Sequence, residues 1–284
     1  MRSQRGFGRV VMASLLAWVL VLCQPAVVAA QTGSAPIWLM GEVHDHPLGH
    51  AYRLADLKRE LGGSWRPAIL MEQFDVQRQA QLTHAWQTCE DAQCVIAAAG
   101  GDGWQWPFYE PLIQLALDYR LPLVAANVSR AQLGEVMKHG FEAVFDDQAI
   151  QQYGLNQPLP DAWLQAQRQA MRLGHCNLLP ESMIDPMVKA QATRDIMYAQ
   201  LLAQYASQGA VVIAGNGHVR KDLGIYVWLP QALRDQVTVF AYVESDAADA
   251  LAYDRIRLMP AHERGDPCET FRRAMQQRGA SVNQ

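Results

Sequence analysis

Short apolar runs alternate with longer segments of helical periodicity along most of the chain. Residues 37–41 are apolar up to a closing glycine, and the following segment, 48–61, places Leu54, Leu57 and Leu61 at helical spacing. A strand-like run at 68–71 precedes a helical pattern at 76–86, and a helical pattern at 110–119 precedes a run at 121–126. Two further runs occupy 210–214 and 237–243. The first of these is apolar without interruption, as expected of a strand covered on both faces. The alternation predicts an α/β fold, a mostly parallel sheet with helices on both faces. Between 131 and 207 the strand signal is missing. Helical patterns at 132–139, 161–173 and 183–205, broken by Pro158, Pro160, Pro180 and Pro186, predict a helical insertion that forms a lid or one wall of a pocket. The plainer alternative is a set of ordinary helices covering the sheet.

The N-terminal pattern has a different meaning. Arg2, Arg5 and Arg9 precede an apolar run at 10–22, and small residues surround Ala29 and Ala30. This is the layout of a signal peptide, residues 1–30, cleaved near Ala30. The run is about a dozen residues long, short of the roughly 20 needed to span a bilayer. Leu22 stands where a lipid-modified cysteine prefers a small neighbour, which argues against anchoring at Cys23. A soluble periplasmic or secreted domain, residues 31–284, is the expected product. The formal charge of −4 becomes more negative once the basic leader is removed, and no run of Lys or Arg offers a nucleic-acid surface. Cys89, Cys94, Cys176 and Cys268 remain after processing. In an oxidising compartment they permit a short Cys89–Cys94 bridge and a long-range Cys176–Cys268 bridge, and their spacing matches no zinc or haem-attachment motif.

Polar residues gather where the apolar runs end. Gly41-Glu42-Val43-His44-Asp45-His46 follows the first, Glu72-Gln73 the second, Asn127 the third and Gly215-Asn216-Gly217-His218 the fourth. In an open parallel sheet ligands bind beyond the carboxyl ends of the strands, so these groups are expected to converge. The two glycine-x-x-histidine motifs are the sharpest signal. Glycine permits close backbone approach, and Glu42, His44, Glu72 and His218 are groups that move protons in hydrolysis. His44, His218 and Glu72 would be the ligands if a divalent metal takes part. Each residue alone also suits a satisfied core group or a helix cap. Four together favour a ligand site, because desolvating several titratable groups is costly without one. His46 and His50 are weaker candidates, expected on an exposed first turn. In the helical pattern from 183, Met187, Gln191, Arg194 and Tyr198 share one face. Arg194 suits a carboxylate, through two parallel hydrogen bonds, or an ordinary salt bridge.

The segments GEVHDHPLGH, ILMEQFD, HCNLLP, MVKAQATRDIMYAQLL and VVIAGNGHVRKDLGI, within residues 41–225, resemble the ChaN family of iron-regulated haem-binding proteins. That family belongs to a wider group with the Tiki proteases and erythromycin-esterase-like hydrolases, which share paired GxxH-type histidines and a glutamate. The resemblance implies a parallel sheet with an added helical part, and haem binding associated with a homodimer. It carries Glu42, His44, Glu72 and His218 over as the shared site. It also implies an axial tyrosine from the helical part, with Tyr153 the first candidate and Tyr198 the alternative, Arg194 suited to a haem propionate, and His175 within the HCNLLP segment. Two functions therefore stand side by side. One is an exported protein that binds haem or another small molecule for iron uptake, in association with the envelope. The other is a hydrolase using the strand-end histidines and glutamates, with or without a metal.

Overall fold

The computed structural model describes residues 35–245 and 250–282. The leader, its cleavage site near Ala30 and Cys23 lie outside the described residues. Each apolar run becomes a strand: β1 (Ile37–Met40), β2 (Ala68–Asp75), β3 (Leu123–Asn127), β4 (Ala210–Ile213) and β5 (Val237–Val243). A sixth, β6 (Arg255–Leu258), escapes the hydrophobic pattern because all four of its side chains are exposed at the sheet edge. Every pairing is parallel, in the order β3-β2-β4-β1-β5-β6.

Alternate residues of the strands supply two cores. Trp38, Met40, Ile69, Met71, Val211 and Ile213 point to one face. Helices α1 (Pro47–Leu61), α2 (Gln79–Thr88), α3 (Ala92–Ala99) and α4 (Glu110–Asp118) cover it. Ile37, Leu39, Leu70, Val212 and Val239 point to the other face, under Tyr198, Ala199 and Leu202. These three belong to α8 (Glu181–Tyr205), the last helix between β3 and β4. Before it come α5 (Arg130–His139), α6 (Asp147–Gln152) and α7 (Asp161–Gly174). Val136, Phe141, Ile150 and Leu155 pack on Ala192 and Ile196 of α8 in an apolar cluster of their own. The helical stretch is thus both a cover for the sheet, through α8, and a further layer built outward from it.

Register and topology fix where the strands end together. Met40 lies opposite Ile213 and Phe240, and Ile213 lies opposite Met71, so the residues after β1 and β4 emerge at one edge beside Glu72. The chain leaves β1 through α1 on one face and leaves β4 through Val219, Ile225 and Leu229 on the other. Two neighbouring strands whose connections depart to opposite faces open a crevice between them, the usual ligand site of such sheets. Both expected disulfides form, Cys89–Cys94 and Cys176–Cys268.

Candidate functional site

Two carboxylate–histidine pairs occupy this crevice. His44 donates from Nδ1 to Glu42 Oε1 at 2.7 Å. The tautomer that makes this bond leaves Nε2 as an acceptor, on a side chain that is 47% exposed. Glu42 is itself buried, and a closed set of donors holds it: the Tyr109 hydroxyl at 2.6 Å, the Gln73 amide at 3.3 Å and the guanidinium of Arg53. Burial pulls Arg53 down to about 10, so it remains a cation and balances Glu42 at neutral pH. Removing either member would strand a buried charge, a loss of about 3–5 kcal/mol.

The second pair is deeper. His218 Nδ1 lies 2.6 Å from Asp195 Oδ1, with the Gln191 amide 3.0 Å from the same nitrogen, and its Nε2 faces Glu72 Oε1 at 3.6 Å. Desolvation pulls the His218 imidazole down, but the Asp195 and Glu72 carboxylates outweigh it and leave the group above its ordinary value. Desolvation pushes the Asp195 carboxyl up to about 6. For Glu72, desolvation is more than offset by His218, His44 and the Gly215 N–H, which donates at 2.9 Å, so this carboxyl sits below its ordinary value.

The glycines of the two motifs make room for each other's side chains. A Cβ on Gly41 would lie 2.1 Å from Asn216 Oδ1, and one on Gly215 would lie 3.1 Å from His44 Nε2. Asn216 needs that space. Its Nδ2 donates to the Tyr242 carbonyl at 2.7 Å while its backbone N–H donates to the Glu42 carbonyl at 3.0 Å, tying the β4 motif to β1 and β5.

The structure brings Glu42, His44, Glu72 and His218 together, across more than half of the chain. It places the remaining candidates differently. Tyr198 is fully buried with its ring edge-on to His218, 5.6 Å between centroids, and its hydroxyl finds no partner among the described residues. Arg194 donates from Nε to Asn127 at 3.1 Å and reaches a cavity beyond β2 and β3. Tyr153 is half-buried in the outer helical cluster with Ile196 and Trp228. His175 donates from Nδ1 to the Met171 carbonyl at 2.9 Å and meets Phe271 edge-on, beside the Cys176–Cys268 bridge.

The expectation that His46 and His50 are exposed is wrong. His46 caps α1, accepting from Gly49 N–H at 3.2 Å and donating to the Pro260 carbonyl at 2.9 Å. His50 donates to the His44 carbonyl at 2.9 Å, accepts from Arg53 at 2.9 Å and stacks on Phe108. Distant segments, 106–109 and 259–262, cover this turn, and no local pattern announces them. Sequence reading also misses Arg53, Tyr109 and Asp195. Two of these had a signal. Arg53 continues the buried stripe of His50, Leu57 and Leu61, and Asp195 lies four residues after Gln191 and three before Tyr198.

Fold and site together define a doubly wound α/β domain with paired carboxylate–histidine groups at the switch of its sheet. The chain belongs to the family described as haem-binding uptake, Tiki superfamily, ChaN, whose model matches residues 28–229. Among solved structures, "Cofacial heme binding to ChaN of Campylobacter jejuni" is similar with a TM-score of 0.63 and 19% identity over 78% of this chain and 86% of that one. The type III effector HopBA1 aligns with a TM-score of 0.42 and 12% identity over 80% of this chain and 88% of its own. The erythromycin esterase EreC in its open conformation gives 0.41 and 12% over 84% and 79%. No curated protein matches the sequence.

Haem, which the family implies, finds a fitting group in Tyr153. Its phenolic oxygen is buried in apolar surroundings with no hydrogen-bond partner among the described residues, as is Trp228 Nε1 nearby in the same cluster. Burial raises the phenol above its ordinary value, a cost that coordination to a cation would offset. Among the described residues no group of three or more His, Cys, Asp or Glu side chains is placed to hold a metal ion.

Proposed function

We propose that the chain is an exported haem-binding protein of the cell envelope that takes part in haem or iron uptake, working as a homodimer with haem seated against its helical layer. The observation that carries this reading is the partnerless, buried phenol of Tyr153 in a chain of a haem-binding family. Tyr153 would be the axial ligand, and Trp163 and Trp228, edge-to-face at 5.4 Å, would supply apolar ring contacts. Bound haem supplies an iron atom that exchanges its axial ligands; the protein's part is to shield it and to hold the phenol in place. The two disulfides suit an extracytoplasmic compartment.

A second reading rests on a different observation, the half-exposed His44 Nε2 whose partner nitrogen Glu42 orients. That arrangement is able to take a proton from water, with His218 and Glu72 alongside, and so to run a hydrolysis. One preparation separates the two. Protein recovered from the envelope should begin near Gln31 and give a saturable Soret shift with haemin. Tyr153→Phe should change that spectrum and weaken binding about tenfold or more, whereas His44→Gln should leave haemin binding intact and abolish any turnover of activated esters. An unchanged Tyr153→Phe spectrum removes Tyr153 as ligand, and ester turnover without haemin binding favours the hydrolase.

A further inference from the structure

Another set of groups lies at the same sheet edge, outside the carboxylate–histidine pairs. Beyond the ends of β2 and β3 opens a cavity of about 450 Å³, lined by Gln73, Trp104 and Asn127 and by Arg78, Arg130 and Arg194. Arg78 donates to the carbonyls of Ala99 and Gly100, and Arg194 donates from Nε to Asn127 at 3.1 Å. Among the described residues none of the three arginines makes a salt bridge. Two carboxylates share the cavity, Asp75, which accepts from Asn127 Nδ2 at 2.8 Å, and the exposed Asp102, so the cations outnumber them. Gln73 is 2% exposed, gives its Nε2 to Glu42, and has no partner among the described residues for Oε1. Buried acceptors are seldom left unmet. Trp104 meets His44 edge-on at 5.2 Å, so the cavity borders the exposed imidazole.

We propose that this cavity seats a small organic oxyanion, a carboxylate or a phosphate ester, with its acid group on Arg130 and Arg194, a donor toward Gln73 and its body against Trp104 beside His44. Planar guanidinium groups match oxyanions through paired hydrogen bonds, and an aromatic wall favours a flat ligand. The ligand is separate from haem at Tyr153, and the inference does not depend on that assignment.

Benzoate and phenyl phosphate, each titrated calorimetrically into the purified protein, test the idea and tell carboxylate from phosphate. At least one should bind saturably, quench Trp104 fluorescence and lose about tenfold or more in affinity in Arg130→Gln and in Arg194→Gln. Arg130 is exposed on the first turn of α5, so its variant leaves the fold alone even if that of Arg194 does not; circular dichroism checks both. Failure of both probes to bind, or binding that Arg130→Gln leaves unchanged, overturns the proposal. Haemin titrated into the Arg130→Gln variant should bind as it does to the wild type. A parallel loss of haemin affinity would make the cavity a propionate seat and overturn the assignment of a separate ligand.

Discussion

Gly41 and Gly215 each stand where a side chain of the other motif must pass, but the two passages differ in stiffness. At Gly41 a methyl group would meet Asn216 Oδ1 at 2.1 Å and Val219 Cγ2 at 2.9 Å, and Asn216 cannot retreat without releasing the Tyr242 backbone. At Gly215 the nearest atom is Nε2 of the half-exposed His44 ring at 3.1 Å, which has solvent on its outer side and only its bond to Glu42 to adjust. Gly41→Ala should therefore cost about 1–3 kcal/mol in denaturant unfolding. Gly215→Ala should cost less than about 1 kcal/mol while shifting the His44 imidazole resonances. Equal losses of stability would refute this division of roles.

At the scale of elements, the site is held by two helices that each carry a polar stripe into the core. On α1 the stripe is His50 and Arg53, which close the shell around Glu42. On α8 it is Gln191, Asp195 and Tyr198, all turned on His218. The second stripe makes stability depend on pH. Desolvation opposes the charge on His218, yet Asp195 and Glu72 leave its folded-state pKa above 6.5. A raised histidine contributes stability that is complete below the unfolded pKa and is lost as pH rises through the folded one. Asp195, raised by desolvation from 3.8 to about 6, acts in the same sense at lower pH, because the folded state keeps its proton longer. The urea midpoint should fall as pH is raised above 6.5, and His218→Gln should flatten that fall. Identical slopes in the two proteins would mean that the ring titrates alike folded and unfolded.

For the whole molecule the two disulfides do unequal work. Cys89–Cys94 spans 5 residues between α2 and α3, whereas Cys176–Cys268 spans 92 and ties the turn before α8 to the C-terminal helix Pro267–Val282. Loop-closure entropy assigns about 2 kcal/mol to the short loop and about 4 to 5 kcal/mol to the long one. Replacing Cys176 and Cys268 together by serine should lower the unfolding free energy roughly twice as much as replacing Cys89 and Cys94. An equal or reversed order, measured on oxidised protein, would show that the long bridge closes little that the unfolded chain leaves open.

Hydrophobic runs alone located β1 to β5 and the helices α1, α2, α4, α5, α7 and α8, because a buried strand is apolar throughout and a helix shows its buried face every three or four residues. They also placed Glu42, His44 and His218 just past strand ends, where a parallel sheet brings its loops together, whereas Glu72, expected to follow its strand, lies inside β2 because that strand runs on to Asp75. β6 was invisible for the same reason, since an exposed edge strand such as Arg255–Leu258 has no apolar face to announce. The tertiary structure decided which charges pair. Arg53 meets Glu42, and Asp195 meets His218, because α1 and α8 lie against the edge at which β1 and β4 part. It also decided that His46 and His50 are buried, by laying residues 259–262 and 106–109 over their turn. Local pattern records whether a position is wet or dry within its own element; which group waits on the other side depends on how distant elements dock.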